Sequence, residues 1–259
     1  MSRTGMRRAK LLAEEFFNDG PLYVLSSTSL GGIGLSADEI SLALSGDDEA
    51  TYRDLLSKGA CLPLHFPFDC AMDKAAVVIG DLNDVEEEEW VGRVRSRLEI
   101  PCGEFLVLAN GIEEENWELP MEGLESDFEL STFETFRVEP GSYLVEVLAY
   151  VGSYTITSAW MDSGVTSRLR DWWSRSRPGE AEPAWIESAL KSDGLSHGDH
   201  GLLTYLIHLT PLTEDVPVPR LGPVTSSQSC ELWVGDYEMR EPVRCPRGID
   251  RAQYGEDSA

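Results

Sequence analysis

Residues 98–109, LEIPCGEFLVLA, and residues 136–147, FRVEPGSYLVEV, carry one pattern twice. Each alternates apolar and polar side chains, breaks at a Pro/Gly turn, then resumes with an aromatic residue and Leu-Val. Period-two alternation places successive side chains on opposite faces of a strand, and Pro with Gly between two such runs marks a reversal. The alignment sets Gly103 against Gly141, Phe105 against Tyr143 and Val107 against Val145. Each copy predicts a β-hairpin. The first suits a type I turn followed by a left-handed Gly103, the second a type II turn centred on Pro140-Gly141. Phe105 and Tyr143 are then expected on comparable faces of the sheet. A weaker echo, VRCPRG, lies near the C-terminus.

Other segments extend this β-rich reading. PLYVLSSTSL, KAAVVIGDL, SYTITSAWM, GLLTYLIHLTPL and CELWVGDYEM read as strands, and LPLHFPF, with two prolines, as an edge strand or extended loop. Short helices are expected outside these strands. RRAKLLAEEFFNDG can gather Leu11, Leu12 and Phe16 on one stripe before Gly20-Pro21 stops it. SADEISLALSG opens on the capping-box pair Ser36 and Glu39, EATYRDLLSKG ends at Gly59, and EPAWIESALKSDG has Pro183 in its first turn. The expected fold class is α+β, mainly β, with antiparallel hairpins and sheets and a few short helices. A chain of 259 residues can build this as one compact unit or two packed lobes. The acidic stretch 112–132, with Trp117, Leu119, Met121, Leu124 and Phe128 as anchors, is the expected boundary excursion. It would separate an N-terminal α+β lobe (1–111) from a mainly-β lobe (133–252), with 253–259 as a tail.

Charge narrows the function. The chain has 46 acidic residues against 21 basic ones, a net of −25. Such a chain repels nucleic-acid phosphates and anionic membranes, and attracts cations and basic proteins. No run approaches the ~20 apolar residues of a membrane span, and the basic N-terminal stretch lacks a signal-peptide core. Five cysteines, an odd number with no CxxC pair, point to reduced thiols and a cytoplasmic setting.

The acid is concentrated between Asp81 and Glu139, where 18 acidic residues meet four arginines, a local balance of −14. DVEEEEW reads as a helix start capped by Asn83 or Asp84, with glutamates one turn ahead of Arg93 and a change to strand near Gly92. Glu86, Glu87, Glu88 and Glu89, next to Trp90, and Glu113, Glu114 and Glu115, next to Trp117, form the expected partner surface. Acid steers a basic partner, and tryptophans anchor interfaces. The leading expectation is therefore an acidic cytoplasmic protein-binding protein, such as an immunity protein or inhibitor of a basic toxin or nuclease.

The competing expectation is a hydrolase or metal-dependent small-molecule enzyme using His197, Asp199 and His200 in SHGDHG. Flanking glycines and the lack of a third ligand by spacing make a polar loop without metal the favoured reading there. His208, inside YLIHLTPL, reads as a hydrogen-bonded core histidine. His65 lies near Cys61 and Cys70, but in no thiol-nucleophile motif. SLGGIGLS lacks the order of a phosphate-binding loop, and DLNDVEEEE lacks the glycine of an EF-hand. The tryptophans and arginines of RDWWSRSRPGEAEPAW read as structural anchors. No cofactor and no catalytic residue is assigned.

Overall fold

The computed structural model describes residues 7–46, 48–66, 69–125, 130–156, 170–171, 173–175, 177–182, 186, 201–221, 237–244 and 247–254. In chain order the strands are β1 (Arg8–Leu11), β2 (Leu22–Ser27), β3 (Cys61–His65), β4 (Ala76–Ile79), β5 (Gly92–Ile100) and β6 (Glu104–Ala109). They continue as β7 (Phe133–Arg137), β8 (Gly141–Ala149), β9 (Leu202–Leu203), β10 (Tyr205–Pro211), β11 (Glu238–Met239) and β12 (Ile249–Asp250). The helices are α1 (Ala37–Ser45), α2 (Glu49–Ser57), α3 (Asp84–Glu89) and α4 (Glu114–Glu122). The fold is mainly β, with antiparallel sheets and a few short helices.

Two sheets face each other. One runs β1-β4-β10-β8-β5-β11, the other β3-β2-β6-β7, and β9 pairs with β12 beside them. Among the described strands every pairing is antiparallel except β4 with β10. The main core fills the space between the sheets: Tyr23, Leu25, Leu64, Phe105 and Val107 from one, Val77, Val94, Val145, Val147 and Ile207 from the other. Phe66 links the layers edge-on, 5.3 Å from the Tyr23 ring and 5.1 Å from that of Tyr205. The outer face of the four-stranded sheet is also buried, with Val24, Leu106 and Leu108 packed under Ile40, Leu44, Tyr52, Leu55 and Trp117. A strand covered on both faces loses its polar alternation, which is why all six residues of β2 are buried.

The two matching stretches are not hairpins. β5 lies in the six-stranded sheet and β6 in the four-stranded one, so LEIPCGEFLVLA passes from one sheet to the other. FRVEPGSYLVEV makes the same passage in reverse, from β7 to β8. The two stretches pair with each other: Leu98 faces Tyr143 and Ile100 faces Gly141, then beyond the bend Glu104 faces Arg137 and Phe105 faces Phe136. Four steps forward on one strand match four steps back on the other, so no residue is inserted at the corner. The Val138 N–H donates to the Gly103 carbonyl at 2.9 Å, holding the pair through the bend. The shared sequence pattern thus reflects one bend made by two strands side by side. Phe105 and Tyr143 sit in different sheets, yet both point into the core between them.

Other expectations also change. Residues 8–11 form the edge strand β1, hydrogen-bonded to β4, where a helix was expected. Helical spacing of Leu11, Leu12 and Phe16 was a local signal; pairing with a strand 68 positions away overrides it. Both sheets draw strands from each side of residues 112–132, so the proposed lobes 1–111 and 133–252 interleave. The excursion itself contains α4. Residues 154–156 are helical rather than extended, and β11 is two residues long among the described residues. Most of EPAWIESALKSDG lies outside the described residues, as do Trp172 and Trp185 of RDWWSRSRPGEAEPAW, Cys230 and Cys245. Cys61, Cys70 and Cys102 are free thiols.

His208 is a buried, hydrogen-bonded histidine, as its apolar setting suggested. Its Nδ1 meets Glu146 Oε2 at 2.9 Å and its Nε2 meets the Gly80 carbonyl at 2.7 Å. Both ring nitrogens thus lie within hydrogen-bond reach of an oxygen acceptor. Burial alone would raise the Glu146 pKa; the hydrogen bond and charge of His208, with Arg93 and Arg95 behind, outweigh it and hold the carboxyl below its ordinary range. A carboxyl depressed on folding stabilises above its unfolded pKa and loses that contribution as pH falls through its folded value.

Two predictions follow from packing. Gly103 has φ +76°, and a Cβ there would lie 3.0 Å from the Val138 carbonyl, whereas nothing stands within 4 Å at Gly141. Gly103→Ala should cost about 1–3 kcal/mol in urea unfolding, and Gly141→Ala should stay within about 0.5 kcal/mol. Equal effects would contradict the bend. His208→Leu should cost about 2–4 kcal/mol at pH 7, because buried Glu146 and the Gly80 carbonyl each lose a hydrogen-bond partner. The deficit should shrink as pH falls below the ordinary carboxyl range and through the lower folded value of Glu146, where its carboxylate is titrated away.

Candidate functional site: two acidic helices with different fates

The glutamate block forms the helix that its composition implied. Asn83 caps α3 by accepting from the Val85 and Glu86 N–H groups, both at 3.0 Å, and Glu86 accepts from the Asn83 N–H at 2.7 Å to close a capping box. The change to strand comes at Gly92. The block does not pair with Arg93, whose guanidinium instead reaches Glu146 at 3.2 Å and Glu238 at 2.9 Å.

Instead the block receives both ends of the described chain. Glu86 is fully buried, and its Oε1 accepts from Arg7 at 2.6 Å and from the Tyr254 hydroxyl. Burial, then the Glu86 carboxylate, pushes the Tyr254 phenol far above its ordinary pKa, so it remains a donor. Glu89 is also buried and accepts from the Arg244 N–H at 2.8 Å and its Nε at 3.0 Å, while Glu88 takes the other arm of Arg244. Arg240 donates to the Trp90 carbonyl at 2.9 Å and stacks 3.5 Å from the Trp90 ring centroid. Trp90 itself is buried.

Glu86, Glu89 and Trp90 are therefore internal structure and cannot meet a partner in this fold. Glu87 stays exposed and Glu88 is half-exposed. Trp117 is fully buried under the four-stranded sheet, with its Nε1 donating to the Gly111 carbonyl at 2.7 Å. It anchors α4 and presents nothing to solvent.

The second acidic run behaves differently. Glu113, Glu114 and Glu115 are exposed at the start of α4, and Glu118 and Glu122 extend the row at i,i+4 spacing. Like charges at that spacing oppose the helix by roughly 0.2–0.5 kcal/mol per pair. Glu122 also sits in the last turn, where the helix dipole favours cations. Glu113 occupies the N-cap position without a side-chain cap. No cationic side chain pairs with Glu114, Glu115, Glu118 or Glu122 among the described residues.

α4 packs against α1, and the Ser41 hydroxyl on α1 donates to the Ile112 carbonyl at 2.7 Å. Residues 36–58 and 111–125, which build this helical layer, contain 12 acids and two bases. Both bases are already used, Arg53 on Glu49 and Lys58 on Asp54, each at 2.6 Å. Leu42 on α1 (69% exposed) and Leu124 just past α4 (50% exposed) stand out as apolar points among these acids. Glu118, Glu122 and Leu42 were missed in the sequence, where the i,i+4 repeat 114–118–122 was the available signal, and Leu124, expected as an anchor, is half exposed.

His197, Asp199 and His200 lie outside the described residues. Among the described residues, no group of three or more His, Cys, Asp or Glu could hold a metal ion, and no helix is long and apolar enough to cross a membrane.

No protein-family model matches the chain. No curated protein matches it either. Among solved structures it is similar to one described as "Crocagin biosynthetic gene J", at 12% identity and a TM-score of 0.37, over 79% of this chain and 96% of that one. A likeness that distant bears on no residue of the site.

The buried and exposed glutamates of α3 should separate in a stability assay. Glu86→Gln should cost about 1–3 kcal/mol, since a buried Arg7 partner and Tyr254 acceptor is weakened. Glu87→Gln, on the exposed side of the same helix, should fall within about 0.5 kcal/mol of wild type. Equal, small effects would return the whole block to the solvated surface.

Proposed function

We propose that the protein binds a basic protein partner through the acidic helical face of α1 and α4. The observation that carries this reading is the row Glu114, Glu118 and Glu122: like charges on one stripe, running to the dipole's unfavourable end, with no described cation to relieve them. A cationic partner turns that internal repulsion into attraction. Leu42 and Leu124 supply apolar contact within the same layer, and a concentrated negative face raises the on-rate for a positive one. A cytoplasmic immunity protein or inhibitor of a basic toxin or nuclease uses this physics, since an acidic face can occupy a cleft built for phosphate.

The test exploits a trade-off. Glu114→Gln, Glu118→Gln and Glu122→Gln combined should stabilise the free protein by a few tenths of a kcal/mol per removed repulsion. The same triple variant should lose the basic partner in a pull-down that wild type passes at low salt, with wild-type capture fading as salt rises. Glu87→Gln with Glu88→Gln, which removes two charges from α3 instead, is the control and should retain the partner. Equal capture by both variants would defeat the proposal.

A further inference from the structure

SLGGIGLS, the glycine-rich stretch with no role so far, leads into α1 and furnishes part of a groove. Gly32 and Gly34, at φ +75° and +78°, flank Ile33. Both positions are left-handed, which glycine adopts without penalty. Nothing stands within 4 Å of a Cβ built on Gly34, so backbone conformation alone calls for glycine there. The winding brings Ile33 and Leu35 to the flank of α1, where they line one groove with Ala43 and, from α2, Leu55. The groove measures about 410 Å³, within the range of concave binding sites.

The faces of α1 divide by role. Ile40 and Leu44 are buried, Ser41 bonds to the Ile112 carbonyl beside α4, and Leu42 stands exposed. Glu39 and Ala43, one turn apart, line the groove. On α2, Thr51, Asp54, Leu55 and Lys58 form the facing stripe at helical spacing. The Tyr52 hydroxyl donates to the Leu44 carbonyl near the end of α1 and ties the two helices together. Leu55 is buried, whereas Ile33, Leu35 and Ala43 are only part-buried. The floor is therefore apolar and incompletely covered.

The rim carries uncompensated acid. Lys58 is already held by Asp54, and Arg53 by Glu49, each at 2.6 Å. Glu39 accepts from the Ser36 N–H at 2.8 Å and its hydroxyl at 3.1 Å, which hold the carboxyl below its ordinary range. Asp48 accepts from the Thr51 hydroxyl at 2.6 Å and the Ala50 N–H at 3.0 Å, with the same consequence. Both carboxylates are exposed, and no cation pairs with either among the described residues.

We infer that the groove between α1 and α2 receives one large apolar side chain of the basic partner, flanked in the partner's sequence by lysine or arginine. Ile33, Leu35 and Ala43 cover the apolar anchor, and Glu39 and Asp48 hold the cations beside it. An apolar centre inside a charged rim is the arrangement in which a buried anchor carries most of the binding energy. The inference rests on the α1/α4 reading and deepens it. Charge alone attracts any basic chain, whereas a shaped apolar seat discriminates among them.

The probes are labelled peptides titrated with the full chain and followed by fluorescence anisotropy. One has tryptophan between two lysine runs, the other alanine in its place. The tryptophan peptide should bind about tenfold or more tighter, the scale of one buried aromatic side chain. Ala43→Phe and, from the opposite wall, Ala50→Phe should each bring it within about twofold of the alanine peptide, whose own affinity should hold. Ala252→Phe, at an exposed position near the C-terminus, is the control and should keep the preference. Near-UV circular dichroism should show each variant folded. Glu114→Gln, Glu118→Gln and Glu122→Gln combined should weaken both peptides in the same proportion; a triple variant that binds both as wild type does would defeat the α1/α4 reading. Equal binding of the two peptides to wild type, or a tryptophan preference that survives both groove fillings, would overturn the groove alone.

Discussion

The bent ribbon formed by β5–β6 and β7–β8 sets the geometry on which the remaining elements depend. Two strands leave one sheet together, turn the same corner and enter the other, with pairing intact from Gly92–Ala149 to Leu108–Phe133. That single device fixes the separation of the sheets, because the backbone hydrogen bonds are made on both sides of the corner and cannot slide independently. A one-residue slip would carry Leu98, Phe105, Tyr143 and Val145 out of the core at once. β2 and β3 then extend the ribbon on one side, β10 and β4 on the other. The helices follow, since α4 leaves β6 and lies over the face that the ribbon presents.

Charge is handled in two opposite ways within one molecule. At α3, carboxylates are drawn inside and matched donor by donor with Arg7, Arg244 and Tyr254. Buried acids of this kind contribute less to net stability than to fixing which segments meet, because desolvation offsets most of the attraction. At α4, carboxylates remain outside and repel one another. Residue type is the same in both places. The difference is the arrival of cations from distant parts of the chain at the first helix and their absence at the second among the described residues. It also gives the acidic middle third its division of labour, part keystone and part exterior.

What could be read from the sequence was local. The Ser36–Glu39 capping box, the helix stop at Gly59, the edge position of β3 with its proline, the Asn83 cap and the buried role of His208 all rest on interactions among near neighbours or on an apolar run. Misreadings arose where the deciding partner was remote. β1 has helix-like spacing and becomes a strand because β4 offers an edge. A Pro/Gly reversal between two alternating runs looks the same whether the second run returns along its own sheet or crosses to another. Glu86 and Glu87 are adjacent and identical in type, and only the helix phase, set by Asn83, sends one inward toward Arg7 and the other outward. Glu86 and Glu89 left the expected partner surface on that account, while Glu113, Glu114 and Glu115 at the start of α4 kept the exposure that their charges required.

One pairing carries a consequence for the birth of the protein. β10 enters between β4 and β8, and its parallel partner β4 is complete some 130 residues earlier in the chain. At about 5–20 residues per second, the ribosome takes several seconds to deliver β10 after β8 has emerged. Throughout that interval both flanking strands present unpaired amides and carbonyls, the template on which neighbouring nascent chains assemble wrongly. β1 covers the far edge of β4 from the outset, halving the exposed surface. The central strand is thus the last of the three to be synthesised, and the two strands it joins wait for it.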